Sequence, residues 1–137
     1  MSAGYSGTPL PKKLGIAAGG TVVLWNAPGD FVDILEPLPE DVSIVENRVV
    51  AADVTVMFVE RIADVAALLG RLEAKLERGK RLWVAWPKKA SGRKTDVDFD
   101  GVQSAGLELG IVDTKVCAID AVWTGLCFMR RKDDAKR

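Results

Sequence analysis

Residues 53–86, DVTVMFVERIADVAALLGRLEAKLERGKRLWVAW, decide the fold. The opening DVTVMFV is almost wholly apolar or β-branched, the pattern of a strand covered on both faces. Ile62, Val65, Leu69, Leu72 and Leu76 then recur at helical spacing, with Arg71, Glu73, Lys75 and Glu77 opposite. That spacing predicts an amphipathic helix over 62–76, closed by Gly79. RLWVAW at 81–86 is a second strand, stopped by Pro87. Strand, amphipathic helix and strand make a βαβ unit, which sets the two strands parallel.

The flanking sequence extends the unit on both sides. TVVLW at 21–25 is a buried strand ended by Pro28-Gly29, and VSIV at 42–45 is a shorter one. Residues 30–35 between them suit a short helix with Phe31, Ile34 and Leu35 inward. At the start, Thr8 caps and Pro9 opens a helix that runs to Leu14 and stops at Gly15. Downstream, Thr95-Asp96-Val97-Asp98 has the form of a capping box with Asp in the acidic position. The helix it starts runs to Leu109, weakened by Gly101 and Gly106 and capped by Gly110. Residues 112–119 and 124–131 form an antiparallel hairpin.

Only about six residues join the second strand to the third, whereas a parallel crossover normally takes a dozen or more. The expectation is a very short second strand whose successors, 46–52, run back extended and leave it parallel; an antiparallel second strand is the alternative. The predicted fold is therefore α/β: a truncated Rossmann-like, class I methyltransferase-like, mainly parallel six-stranded sheet. Helices cover both faces, and a C-terminal antiparallel β-hairpin closes the sheet.

The chain of 137 residues suits an irregular segment at 1–7, one α/β domain over 8–131 and a charged tail at 132–137. Apolar residues make up 48%, enough for a core without disulfides or metal. Lys plus Arg equals Asp plus Glu at 19 each, so no global charge draws the chain to nucleic acid or to an anionic membrane. No apolar run approaches the roughly 20 residues of a membrane span, and residues 1–8 lack a signal-peptide pattern. Two cysteines are too few for a secreted disulfide scaffold, so the expected location is cytoplasmic. Histidine is absent, which excludes Ser-His-Asp and Cys-His catalysis and argues against a metal site.

In open α/β sheets ligands sit outside the carboxyl ends of the strands. That rule selects Asn26 and Gly29 after the first strand, Glu46 at the end of the second and Glu60-Arg61 at the end of the third. It also selects Lys88, Lys89 and Ser91 after the fourth, and Asp120 with Trp123 at the hairpin tip. S-adenosylmethionine would need a Gly-rich loop after the first strand, yet this loop holds only Gly29, behind Pro28, which has no N–H. Glu46, twenty residues after Asn26, stands where an acidic side chain would bind ribose hydroxyls. On balance that cofactor is disfavoured. KKASGRK at 88–94 places four cations among Ser and Gly, a composition suited to a phosphate or carboxylate, though without the order of a P-loop. Trp123 either covers a ligand or partner surface or packs on the sheet edge. Cys117 and Cys127 face each other as buried apolar side chains if the tip loop is 121–123.

GYSGTPLPKKLGI at 4–16, NAP at 26–28, WVAWPKKASG at 83–92, KVCAID at 115–120 and WTGL at 123–126 together resemble an uncharacterised bacterial family, domain of unknown function 3052. The resemblance spans almost the whole chain. It implies a bacterial, cytoplasmic protein of methyltransferase-like shape, and it carries no activity with it.

Three functions follow as expectations. The first is a non-enzymatic module that binds a small anionic or nucleotide-like ligand, or regulates, through a degenerate Rossmann-like site. The second is a methyltransferase-like group-transfer enzyme acting on a small anionic substrate. The third is an interaction protein that uses an exposed sheet edge or the Trp123 tip, with self-association open to it.

Overall fold

Val54–Phe58, β3, is buried at every position. Its side chains alternate between two cores: Val54, Val56 and Phe58 face one, and Met57 faces the other. A computed structural model describes residues 8–132. The irregular segment expected at 1–7, and the charged tail beyond Lys132, lie outside the described residues.

In chain order the elements are α1 (Leu10–Leu14), β1 (Thr21–Trp25), α2 (Phe31–Ile34), β2 (Ser43–Glu46), β3, α3 (Ile62–Glu73), β4 (Arg81–Pro87), α4 (Phe99–Glu108), β5 (Ile111–Ala118) and β6 (Trp123–Arg130). The six strands form one sheet in the order β2-β1-β3-β4-β6-β5. β2, β1, β3 and β4 pair in parallel, and β6 is antiparallel to both β4 and β5. Leu14, Phe31 and Leu35 bring α1 and α2 onto one face; Val65, Leu69, Leu72 and Val102 bring α3 and α4 onto the other. A complete doubly wound sheet runs 3-2-1-4-5-6. Here no strand among the described residues lies outside β2, which is the truncation.

The short join between β2 and β3 runs back extended, and β2 is parallel to β1. Residues 47–53 can reach roughly 23 Å. They must recross about 13 Å of strand and shift two strands sideways, about 10 Å, so seven residues suffice. The Trp25 indole N–H donates to the Arg48 carbonyl (2.9 Å), and Val49 packs into the α3-side core, which pins the return.

Local details differ from expectation. The cap position of α1 belongs to Pro9 rather than Thr8. Gly15 ends α1 at φ 91°, a left-handed backbone that favours glycine. The last carbonyl of α1, on Leu14, accepts the buried Trp83 indole N–H (2.9 Å). α3 stops at Glu73 rather than 76; Ile62 is exposed and Leu68 takes a place in the core. The capping box at 95–98 does not form. Asp98 alone caps α4 through Gly101 N–H (2.9 Å), and Asp96 instead caps α3 through Ile62 N–H (2.7 Å). No helix among the described residues is long and apolar enough to cross a membrane.

Candidate functional site

The strand order reverses between β1 and β3, so their carboxyl ends splay and leave a crevice. The structure holds a cleft of about 280 Å³ there, lined by Asn26, Pro28, Phe58, Val59, Glu60, Arg61, Asp64, Arg93 and Trp123. That is just below the usual range of ligand pockets, roughly 300–1,000 Å³.

Its apolar side is built from strand ends. Phe58 closes β3 and Trp123 opens β6, and their rings meet edge to face at 5.0 Å and 87°. Phe31 packs behind Phe58 at 4.8 Å. Of the two readings of Trp123, the structure takes packing on the sheet: it is a core residue, 6% exposed. The correction is to the hairpin register: the turn occupies 119–122, and Trp123 pairs with Pro87 as the first residue of β6.

The polar side comes from two connections. Arg61 and Asp64 follow β3 at the start of α3. Arg93 reaches in from the segment after β4, its Nε (3.0 Å) and Nη2 (2.5 Å) donating to Glu60 Oε2, its Cζ 5.4 Å from the Trp123 ring centroid. Thr95 Oγ1 donates to the Glu60 carbonyl (2.7 Å), and with the Asp96 cap this stitches residues 93–96 to the exit of β3. Glu60 is thus neutralised. Arg61 makes no ion pair among the described residues.

Of the residues expected at the site, the structure brings only Asn26, Glu60, Arg61 and Trp123 into the cleft. Asn26 is left-handed at φ 58°, a conformation Asn tolerates better than most residues. Its N–H donates to Asn47 Oδ1 (2.9 Å), and Asn47, itself at φ 57°, donates its N–H to the Leu24 carbonyl (2.7 Å). Lys88, Ser91 and Asp120 form a structural knot beside the cleft. Lys88 Nζ donates to the Asp120 carbonyl (2.7 Å), and the Ser91 hydroxyl donates to the Lys88 carbonyl (2.6 Å). The Asp120 carboxylate accepts the Val122 and Trp123 N–H groups (both 2.8 Å) and so shapes the hairpin turn. Gly29, Glu46 and Lys89 fall outside. Gly29 is exposed with open space around it. Glu46 ends the edge strand, paired beside Leu24. Lys89 lines a separate hollow with Trp86, Val97 and Phe99. Lys88 and Lys89 diverge where the extended backbone of Lys88 gives way to a 3-10 turn over Lys89–Ser91.

Phe58 and Asp64 were missed, whereas Glu60 and Arg61 followed from strand position and Arg93 was named only within its charged run. Glu60-Arg61 directly follows the most apolar strand, and Arg93 belongs to the KKASGRK run, so both carried a signal. Which cation of the run turns inward is decided by the Gly92 bend at φ 78°, which spacing does not reveal. The cysteines stay buried and unbridged, but Cys117 pairs with Gly125 and Cys127 with Lys115, so they do not face each other. Burial pushes both thiols up from their ordinary value. No group of three or more potential metal ligands converges among the described residues.

Solved structures with a similar arrangement include methyltransferases. A magnesium protoporphyrin IX methyltransferase from Synechocystis PCC 6803, with bound SAH, aligns with TM-score 0.57 over 83% of this chain and 75% of its own, at 11% identity. An O-methyltransferase from neocarzinostatin biosynthesis, in complex with S-adenosylmethionine, aligns at 0.62 over 82% and 49%, at 12% identity. This is the class I methyltransferase fold. A ribosomal protein L11 methylase from Lactobacillus delbrueckii subsp. bulgaricus aligns at 0.58 over 89% and 75%, at 11% identity. The chain thus spans three quarters of two of these methyltransferases and about half of the third. No family model matches the chain, and no curated protein does.

The donor set at this chain's methyltransferase-like edge does not fit S-adenosylmethionine. Pro28 offers no N–H, the Asn26 N–H is held by Asn47, Gly29 stands outside the cleft, and Glu46 does not line it. Arg93 and Glu60 face each other across part of the opening.

Proposed function

We propose that this chain is a non-catalytic binding module for a small metabolite carrying one anionic group and at least one hydroxyl or amine. The observation that carries the reading is the cleft at the reversal point of the sheet, lined by Arg61, Asp64 and Asn26 together with Phe58 and Trp123. Arg61 offers a planar fork to a carboxylate or phosphate, Asp64 accepts from a hydroxyl or amine, and the rings take an apolar body. Arg93 closes one wall, stacked on Trp123. A non-catalytic role is supported by the absence of histidine, the burial of both thiols and the engagement of the Ser91 hydroxyl.

Group transfer at the same cleft is the second reading, favoured by the fold it shares with methyltransferases. A thermal-shift comparison of inorganic phosphate, adenosine monophosphate and S-adenosylhomocysteine separates them, because any ligand of the native state raises the midpoint. A rise with the nucleotide alone supports the binding module. A rise with S-adenosylhomocysteine favours transfer. No rise with any of the three counts against both.

A further inference from the structure

The two edges of the sheet carry opposite charge. From Leu14 to Asn47 the chain holds six carboxylates, Asp30, Asp33, Glu36, Glu40, Asp41 and Glu46, and no Lys or Arg. All six are exposed, and this stretch builds the β2 edge with α2 beside it. At the opposite edge, Lys12 and Lys13 of α1 and Lys115 of β5 line a groove of about 450 Å³ with Val116, Cys117 and Ala118. Val116 there is 57% exposed. Asp113, the one carboxylate on β5, is turned to Gln103 of α4 (3.3 Å).

We infer that this protein assembles head to tail, the basic β5 edge of one copy receiving the acidic β2 edge of the next. The pairing geometry allows it. β5 is antiparallel to β6, and β6 to β4, so β5 runs in the same direction as β2. A second copy that continues the sheet through a parallel β5–β2 seam therefore keeps its faces on the same sides. α1 and α2 share one face, so α2 of the incoming copy settles beside α1. Asp33 and Glu36 then meet Lys12, while the exposed edge strands supply backbone donors and acceptors to each other. Zero net charge leaves no overall repulsion to oppose the contact. The interface is heterologous, so it propagates rather than closing at a dimer.

Sedimentation velocity over a concentration series tests this. In about 0.01 M salt, where charges act over roughly 30 Å, the sedimentation coefficient should rise with concentration; in about 1 M salt, where they act over roughly 3 Å, the rise should vanish. Lys12→Glu/Lys115→Glu and Asp33→Lys/Glu36→Lys should each stay monomeric, and an equimolar mixture of the two should associate again. Lys75→Glu/Arg78→Glu, which makes the same change in net charge as Lys12→Glu/Lys115→Glu but on the α3 side, should still associate. A wild-type chain that sediments as a monomer throughout, or an oligomer indifferent to salt and to edge charge reversal, overturns the inference.

Discussion

Arg93 holds its guanidinium 5.4 Å from the centroid of the Trp123 ring, across the carboxyl edge of the sheet. The contact joins the segment after β4 to the first residue of β6, and Trp123 in turn meets Phe58 of β3. Trp123 is thereby a keystone of the cleft wall as well as a core side chain. Trp123→Ala should lower stability by about 3–5 kcal/mol, read from the urea midpoint. A midpoint within error of wild type would return Trp123 to the surface.

Gly106 lies in the interior of α4, where alanine normally favours a helix by about 1 kcal/mol. Here a Cβ would stand 2.1 Å from the Phe128 ring, so α4 approaches β6 too closely for any side chain. Overpacking of this kind costs about 1–3 kcal/mol and should outweigh the propensity gain. Gly106→Ala should melt below wild type; melting above it would mean that the helix stands off the sheet.

The order of elements and the parallel sheet were legible because burial on both faces and helical periodicity leave strong patterns, as in DVTVMFV and the Val65–Leu69–Leu72 stripe. The glycines of α4 read only as helix weakness, since Gly106 makes room for the Phe128 ring and Gly101 for the Ile62 side chain, both far along the chain. The capping box misled for a related reason. Thr95 and Asp96 turn to Glu60 and Ile62, partners that the fold supplies and local spacing does not. In the cleft, Asn26 followed from strand position alone, whereas choosing Arg93 over Lys88 and Lys89 required the turn geometry.

Asp53 is held below the usual carboxylate range, first by the hydrogen bond from Lys80 Nζ (2.6 Å) and then by the Thr21 N–H (2.8 Å). A depressed carboxylate stabilises the fold fully above its unfolded value and loses that contribution as pH falls through the folded value. Asp53→Asn should therefore be less stable than wild type at neutral pH, modestly so because the pair is well exposed. The gap should narrow in acid. Urea midpoints at the two pH values measure it, and a gap that stays constant would detach the effect from ionisation.

The thiols titrate in the opposite sense. Burial raises Cys117 and Cys127, so the folded state keeps their protons longer than the unfolded chain. Their contribution is intact below the unfolded thiol value, about 8.5, and is lost as pH climbs from there through the folded values. The double Cys→Ala variant should show a shallower alkaline decline than wild type. In the same experiments a thiol reagent should label the native wild type slowly and the unfolded chain quickly; rapid native labelling would place a thiol at the surface.

The most direct test of the binding cleft is calorimetric titration of adenosine monophosphate into wild type and into Arg61→Met, which keeps the stem and removes the fork. Wild type should bind, and the variant should bind about 10- to 100-fold more weakly, the loss of one charge-assisted contact, with an unchanged melting midpoint in the absence of ligand. Lys89→Met, outside the cleft, should bind as wild type does. Equal affinity for wild type and Arg61→Met, or a loss shown by Lys89→Met alone, would contradict the placement of the ligand over Phe58 and Trp123.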